Sequence, residues 1–477
     1  MRVARLIAVV VGSSGLAAAV LAAPVSQSGS AGTVASHASP LAGLGVVVRP
    51  GVIHIGRARD VPPTTADCEQ SYKVACYEPD QIRQAYDLPA LYAQGIDGKG
   101  TTIVIVDSFG SPTIKNDLGV FDKAFGLPAP PSFRIIAPAG KVPAYDASNT
   151  DMVGWAGETT LDVEYAHVIA PDASILLVET PVSETEGTHG FPQIVTAEQY
   201  VLKHHMGDVI SQSFSATEET FVGGAKAVDA LRSAYIAAAK DKVTVLAASG
   251  DSGAADVKQN QTTYYLSRVT SWPDSDPLVT AVGGTQLHFN AEGTPTAPTV
   301  WNDTYNKASN EFADGNAGPN PLASGGGQSI YFSRPSFQNS VQNVVGNRRG
   351  VPDISMSAAC NGSVDTYGTF GGQVAGWTPT CGTSEATPLF AGIVALADQM
   401  AGHSLGPINS ALYTLAAEGA AGIVRVTSGS NTVSFSQGGS KHLVRGFIAQ
   451  KGYDLATGVG TVNAEFFVPE LAVLAGR

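Results

Sequence analysis

Cys381-Gly382-Thr383-Ser384-Glu385-Ala386-Thr387-Pro388 leads into Leu389-Phe390-Ala391-Gly392-Ile393-Val394-Ala395-Leu396-Ala397, a run apolar almost all round. A segment with no polar stripe reads as a helix buried on every side, which requires layers of structure above and below it. Ser384 stands in the first turn of that helix, and Pro388 is near enough to its start to be tolerated. A hydroxyl there lies in the positive end of the helix dipole, where an alkoxide or oxyanion is stabilised. A plain N-terminal cap is the other reading of the same serine.

The layers are found by working outward. Short apolar runs at Thr102–Val106, Ile175–Glu179, Asp208–Ser211, Val243–Ala248 and Leu278–Val282 read as buried strands. Helical patterns at Gly157–Ile169, Ala197–His205 and Ala225–Ala239 separate several of them. A further helical pattern, Ile82 to Tyr92, is expected to split near Pro89. Strand–helix alternation predicts an α/β fold: a parallel sheet flanked by helices on both faces, in a single large domain. Working groups then gather at the C-terminal ends of the strands, where Ser213 and Asp251 both fall.

Composition narrows the function. The chain has 477 residues, 44% hydrophobic and 14% charged, with a formal net charge of −13. No basic run or aromatic–basic interleaving occurs, so nucleic acid is not an expected partner. Residues 1–23, with Arg2 and Arg5 before Leu6–Val11 and Leu16–Leu21, read as a secretory signal peptide. No later apolar run is long enough to span a membrane. The expectation is therefore a secreted, extracellular protein. Residues 24–66, rich in Ser, Gly, Ala and Pro, read as a flexible leader, and 67–477 as the folded domain. An even count of four cysteines in such a chain predicts disulfides, and proximity pairs Cys68 with Cys76 and Cys360 with Cys381. Few charges and an acidic balance suit work at low pH.

Glu158 and Asp162 lie four apart in a helical pattern, so the two carboxyls share a face. Neighbouring carboxylates repel when both are ionised, and such a pair holds one proton in common. That is what a carboxylate base needs to take the hydrogen from a serine hydroxyl. An exposed acidic helix face is the bland reading. Asp251, in Ser249-Gly250-Asp251-Ser252-Gly253, reads either as a turn residue bonded to its own backbone or as an acid that donates to an oxyanion.

Taken together these stretches resemble the sedolisins, the serine-carboxyl peptidases that include kumamolisin and lysosomal tripeptidyl peptidase. The likeness runs from about Tyr77 to the C-terminus. It rests on Glu158-x-x-x-Asp162 before Ala170-Pro171-Asp172-Ala173, Val209-Ile210-Ser211-Gln212-Ser213, Ala248-Ser249-Gly250-Asp251-Ser252-Gly253 and Val282-Gly283-Gly284-Thr285. Ser324-Gly325-Gly326-Gly327, Pro352-Asp353-Ile354-Ser355 and Gly382-Thr383-Ser384-x-x-x-Pro388 complete the order. The resemblance implies a subtilisin-like fold with Ser384 as nucleophile, Glu158 as base, Asp162 orienting Glu158, and Asp251 in the oxyanion hole. It implies that Ser213, Phe214 and Ser215, with Ser324, Gly325 and Gly326, pair with an extended peptide substrate. No cofactor is expected for the chemistry, and the expected state is a monomer. Whether such an enzyme cuts internally or removes N-terminal tripeptides is left open, with internal cleavage as the leading expectation and a non-catalytic peptide binder as the other.

Asp107 follows the first strand, where a subtilisin keeps its triad Asp, but no histidine has the matching His-Gly-Thr context. His189 comes nearest, in a loop, so Asp107 is read as structural. Three features depart from the family. The stretch before Cys68 is short for a folded pro-domain, and Ser215 stands where the family tends to have Gly. The family's calcium site would use Asp454, but Arg425 replaces its other Asp and offers no oxygen. The expectation is that calcium is lost and that Arg425 pairs with Asp454.

Overall fold

The computed structural model describes residues 53–314, 318–371 and 374–476. The signal peptide and the leader as far as residue 52 lie outside them.

Seven strands form a central ladder: β1 (Thr102–Ser108), β2 (Phe133–Ile136), β3 (Ser174–Thr180), β4 (Val209–Gln212), β5 (Thr244–Ala248), β6 (Thr280–Phe289) and β7 (Pro295–Val300). Their spatial order is β7-β6-β5-β4-β1-β3-β2, and an eighth strand, β8 (Ile354–Ser357), also pairs with β6. Every neighbour pair is parallel except β6 with β7. The strands read as unbroken apolar runs because both faces are covered. Ile103 and Ile105 of β1 enter one core with Leu177, Val209 and Leu246, while Val104 and Val106 enter another with Leu176, Ile210 and Val245. The two-residue side-chain period of a strand divides them.

Six helices position the site: α1 (Thr150–Ile169), α2 (Phe191–Lys203), α3 (Ala225–Leu231), α4 (Ser233–Lys240), α5 (Thr383–Ala401) and α6 (Asn409–Glu418). The expected Ala225–Ala239 helix is therefore two helices, and the Ile82–Tyr92 pattern does divide, into Pro79–Ala85 and Pro89–Tyr92. The α1 helix begins seven residues before the expected Gly157, because Asn149 caps it by accepting from the N–H groups of Asp151 and Met152. Every residue from Met152 to Ile169 is buried.

The α1 and α5 helices cross closely at Gly392. A Cβ there would lie 2.5 Å from Ile169 Cβ and 3.4 Å from Ala166 O. Only hydrogen in place of a side chain permits that approach.

Residues 53–66 are not a free leader. Ile53–His54 pairs antiparallel with the strand Val374–Cys381, Ile55 donates to Pro379 O, and Ile53 and Ile55 are buried. The helix Thr65–Tyr72 then carries Cys68. Both expected disulfides form, Cys68–Cys76 and Cys360–Cys381.

Candidate active site

Gly382 holds φ 133°, open to glycine and strained for anything else, and so turns the chain from the strand ending at Cys381 into α5. Ser384 follows in the first turn, 3% exposed. Pro388 sits inside the helix rather than at its edge. Having no N–H, it cannot bond the Ser384 carbonyl, and the Ser213 hydroxyl reaches that oxygen instead, at 3.4 Å.

Glu158 and Asp162 occupy successive turns of α1, both fully buried. The Ser213 hydroxyl donates to Asp162 Oδ1 at 2.7 Å. Burial pushes Glu158 well above the usual carboxylate range, and the Asp162 charge pushes it further. The Ser384 hydroxyl acts the other way, favouring charged Glu158. Neither Glu158 oxygen meets strict hydrogen-bond geometry. Loose contacts of this kind are common in free enzymes and tighten when substrate binds. Burial raises Asp162 too, and the Asp107 charge adds to it. No cation pairs with Glu158 or Asp162 among the described residues. Two buried carboxyls without a counter-charge titrate as a pair carrying one shared charge.

Asp251 Oδ1 accepts from both the backbone N–H and the hydroxyl of Thr383, each at 2.7 Å. Thr383 Oγ1 also takes the Gly250 N–H, at 3.2 Å. The Asp251 loop is thus clamped to the residue before the nucleophile.

The remaining residues singled out in the sequence sit as follows. Ser213, Phe214 and Ser215 follow β4 directly, and the Phe214 ring turns into the core against Trp155 and Phe191. Ser324 and Gly325 lie against the Asp251 loop. Their N–H groups donate to Trp301 O at 3.1 Å and Gly250 O at 2.7 Å, so these two amides already serve the protein's own chain. At Gly325 a Cβ would lie 1.8 Å from Ser249 O, which explains the glycine. Asp107 lies close enough to the carboxyl pair to act on it electrostatically. It is buried, pushed up by burial to about 7, and its charge acts on both Glu158 and Asp162. Its place after the first core strand was the signal in the sequence. His189 is exposed, and no histidine bonds Ser384, Glu158 or Asp162 among the described residues.

The expected Arg425–Asp454 pair does not form. Arg425 donates to the carbonyls of Val459, at 3.0 Å, and Ala416. Asp454 Oδ1 takes the N–H groups of Ala456 and Thr457 at 2.9 and 2.8 Å, and Oδ2 takes that of Gln450 at 3.1 Å. Three backbone N–H groups satisfy that carboxylate without a cation, while the guanidinium finds one carbonyl in the last turn of α6 and one in the loop before Gly460. These residues do not fit calcium: one carboxylate faces N–H donors and a cation replaces the other.

The sequence profile of the Subtilase family matches residues 144–440. Kumamolisin from Bacillus sp. (strain MN-32) is 30% identical over 400 residues, covering 82% of this chain and 63% of kumamolisin. Tripeptidyl-peptidase 1 from Homo sapiens is 28% identical over 349 residues, covering 67% of this chain and 54% of that protein. The chain thus spans less than two thirds of the length of these relatives. The solved structure of Pseudomonas sedolisin, a serine-carboxyl proteinase complexed with two molecules of pseudo-iodotyrostatin, superposes with a TM-score of 0.66 at 27% identity, covering 83% of this chain and 98% of that one. The eight-stranded sheet, the buried helix behind Ser384 and these matches agree: the chain belongs to the subtilase family and, within it, to the sedolisin family.

Proposed function

We propose that the chain is a secreted serine-carboxyl peptidase, acting at acid pH, that cleaves peptide bonds within polypeptides through an acyl-enzyme on Ser384. The observation that carries this is a serine at a helix N-terminus with a buried, uncompensated carboxyl pair on the facing helix. Ser384 Oγ attacks the scissile carbonyl carbon while Glu158 takes the hydroxyl proton. The charge that develops on the carbonyl oxygen meets the Ser384 N–H and a protonated Asp251. Collapse breaks the C–N bond, and the leaving amine takes the proton from Glu158. Water then repeats the sequence on the acyl-enzyme, with Glu158 again as base. Asp162, held by Ser213, keeps the shared proton on the pair. Ser213, Phe214, Ser215 and Gly326 offer backbone to an extended substrate, and no group outside the chain is needed.

Removal of N-terminal tripeptides is the second reading, favoured by the likeness to tripeptidyl-peptidase 1. The test is hydrolysis of a denatured protein between about pH 2 and about pH 8, beside Glu158→Gln. Activity that peaks below about pH 5 and is lost in the variant supports the reading. Activity near neutrality that survives the change refutes it. Sequencing of the fragments separates internal cuts from tripeptides.

A further inference from the structure

A cavity of about 390 Å³ opens at the C-terminal end of α6, and none of the catalytic residues line it. Arg425 and Lys451 line it, with the polar side chains of Gln450, Asn343 and Ser340, and no Asp or Glu among its lining residues. In a chain of net charge −13, two cations around a cavity without an acid are unusual.

Arg425 is half-buried. It spends one N–H on Val459 O and one on Ala416 O, which fixes the plane of the guanidinium. A guanidinium carries five N–H donors, so three have no protein acceptor among the described residues. No carboxylate pairs with it among the described residues, and burial alone pushes its pKa down with no acid acting against it. Glu418 lines an adjoining cavity rather than this one, and the Asp454 carboxylate beside Gln450 is taken up by backbone N–H groups. The Ala416 carbonyl belongs to the last turn of α6 and answers part of the charge through the helix dipole. Two neutral carbonyls leave the rest of a partly desolvated cation unanswered.

We propose that this cavity is an oxyanion-binding site of phosphate type, with the free edge of Arg425 forming paired hydrogen bonds and Lys451 closing over the ligand. A planar fork with spare donors matches two oxygens of a tetrahedral anion, and Lys451 adds a mobile point charge. Bound anion would tie α6 to the 450–459 loop, so occupancy is read as stability of the full chain.

The test titrates inorganic phosphate into the full-length protein at about pH 6, with chloride matching the ionic strength, by calorimetry and by thermal melting. One saturable site and a rise in Tm of a few degrees are expected. Arg425→Gln should abolish the binding heat, and Lys451→Gln should weaken it about 10-fold. Lys451 is exposed, so its variant folds even if the Arg425 variant does not. A response without saturation, or one equal in wild type and Lys451→Gln, overturns the site. An equal response to acetate overturns the assignment to a phosphate-type anion.

Discussion

Ser213 donates its hydroxyl to Asp162 at 2.7 Å and, 3.4 Å away on its other side, faces the carbonyl of Ser384 that Pro388 leaves without a helical partner. One side chain thus touches both halves of the site, the carboxyl pair on α1 and the nucleophile's own residue on α5. Its hydrogen bond favours charged Asp162, against the burial that pushes the carboxyl up.

Ser213→Ala removes that pull, so Asp162 holds its proton to higher pH. The acid limb of kcat/KM should move upward, and the rate at the optimum should fall about 10-fold, the worth of one hydrogen bond to a charged group. A pH–rate profile of the variant checks this. An unmoved acid limb would show that Ser213 does not act through Asp162.

Glu198, Glu164, Asp365 and Glu385 are buried and pushed above their ordinary range, chiefly by burial. Each binds its proton more tightly in the folded chain than in the unfolded one. The stability this brings is full below about pH 4 and drains away as pH rises. For Glu198 the window runs from 4.5 to about 8, on the order of 5 kcal/mol at about 1.4 kcal/mol per tenfold change in proton affinity. Melting temperature should therefore fall steadily between about pH 4 and about pH 8, and Glu198→Gln should flatten part of the slope. A profile that is level or rising over that range contradicts the reading.

Gly392→Ala would set a Cβ 2.5 Å from that of Ile169 and push α5 off α1. A loss of about 1–3 kcal/mol in stability is expected from overpacking. Displacing Ser384 from Glu158 should lower kcat about 100-fold with little change in KM. Adding Ile169→Gly, which removes the Cβ that the new methyl meets, should return kcat more than it returns Tm, since it reopens the helix approach at the cost of a cavity and a flexible helix residue. If kcat stays normal in the single variant, the crossing does not set the catalytic spacing.

Because Asp454 faces three N–H groups and Arg425 binds carbonyls, chelation should change nothing. EDTA is expected to leave Tm where it was, while Arg425→Ala, losing two carbonyl contacts, costs about 1–3 kcal/mol. A Tm that EDTA lowers and calcium restores would show a metal at work.

The sequence by itself determined a good deal. Apolar runs such as Thr102–Val106 and Ile175–Glu179 are local statements about burial on two faces, and they place β1 and β3 within two residues, whereas β2, β7, β8 and most of β6 carry no such run. Glu158 and Asp162 had to share a helix face, and Gly382 before Ser384 marked the turn into the buried helix. Both cysteine pairs followed from closeness in the chain. What the tertiary structure alone decided involves groups far apart in sequence. Asp107 reads locally as the end of a strand, yet its charge bears on Glu158 and Asp162, which lie more than fifty residues on in the chain. Residues 53–63 look featureless, but strand pairing with Thr380 and Cys381 fixes them. Arg425 and Asp454 occur in an order that suggests a pair, and each found nearer backbone partners. A hydrogen bond depends on distances of a few tenths of an ångström between separate segments, and no local pattern carries that information.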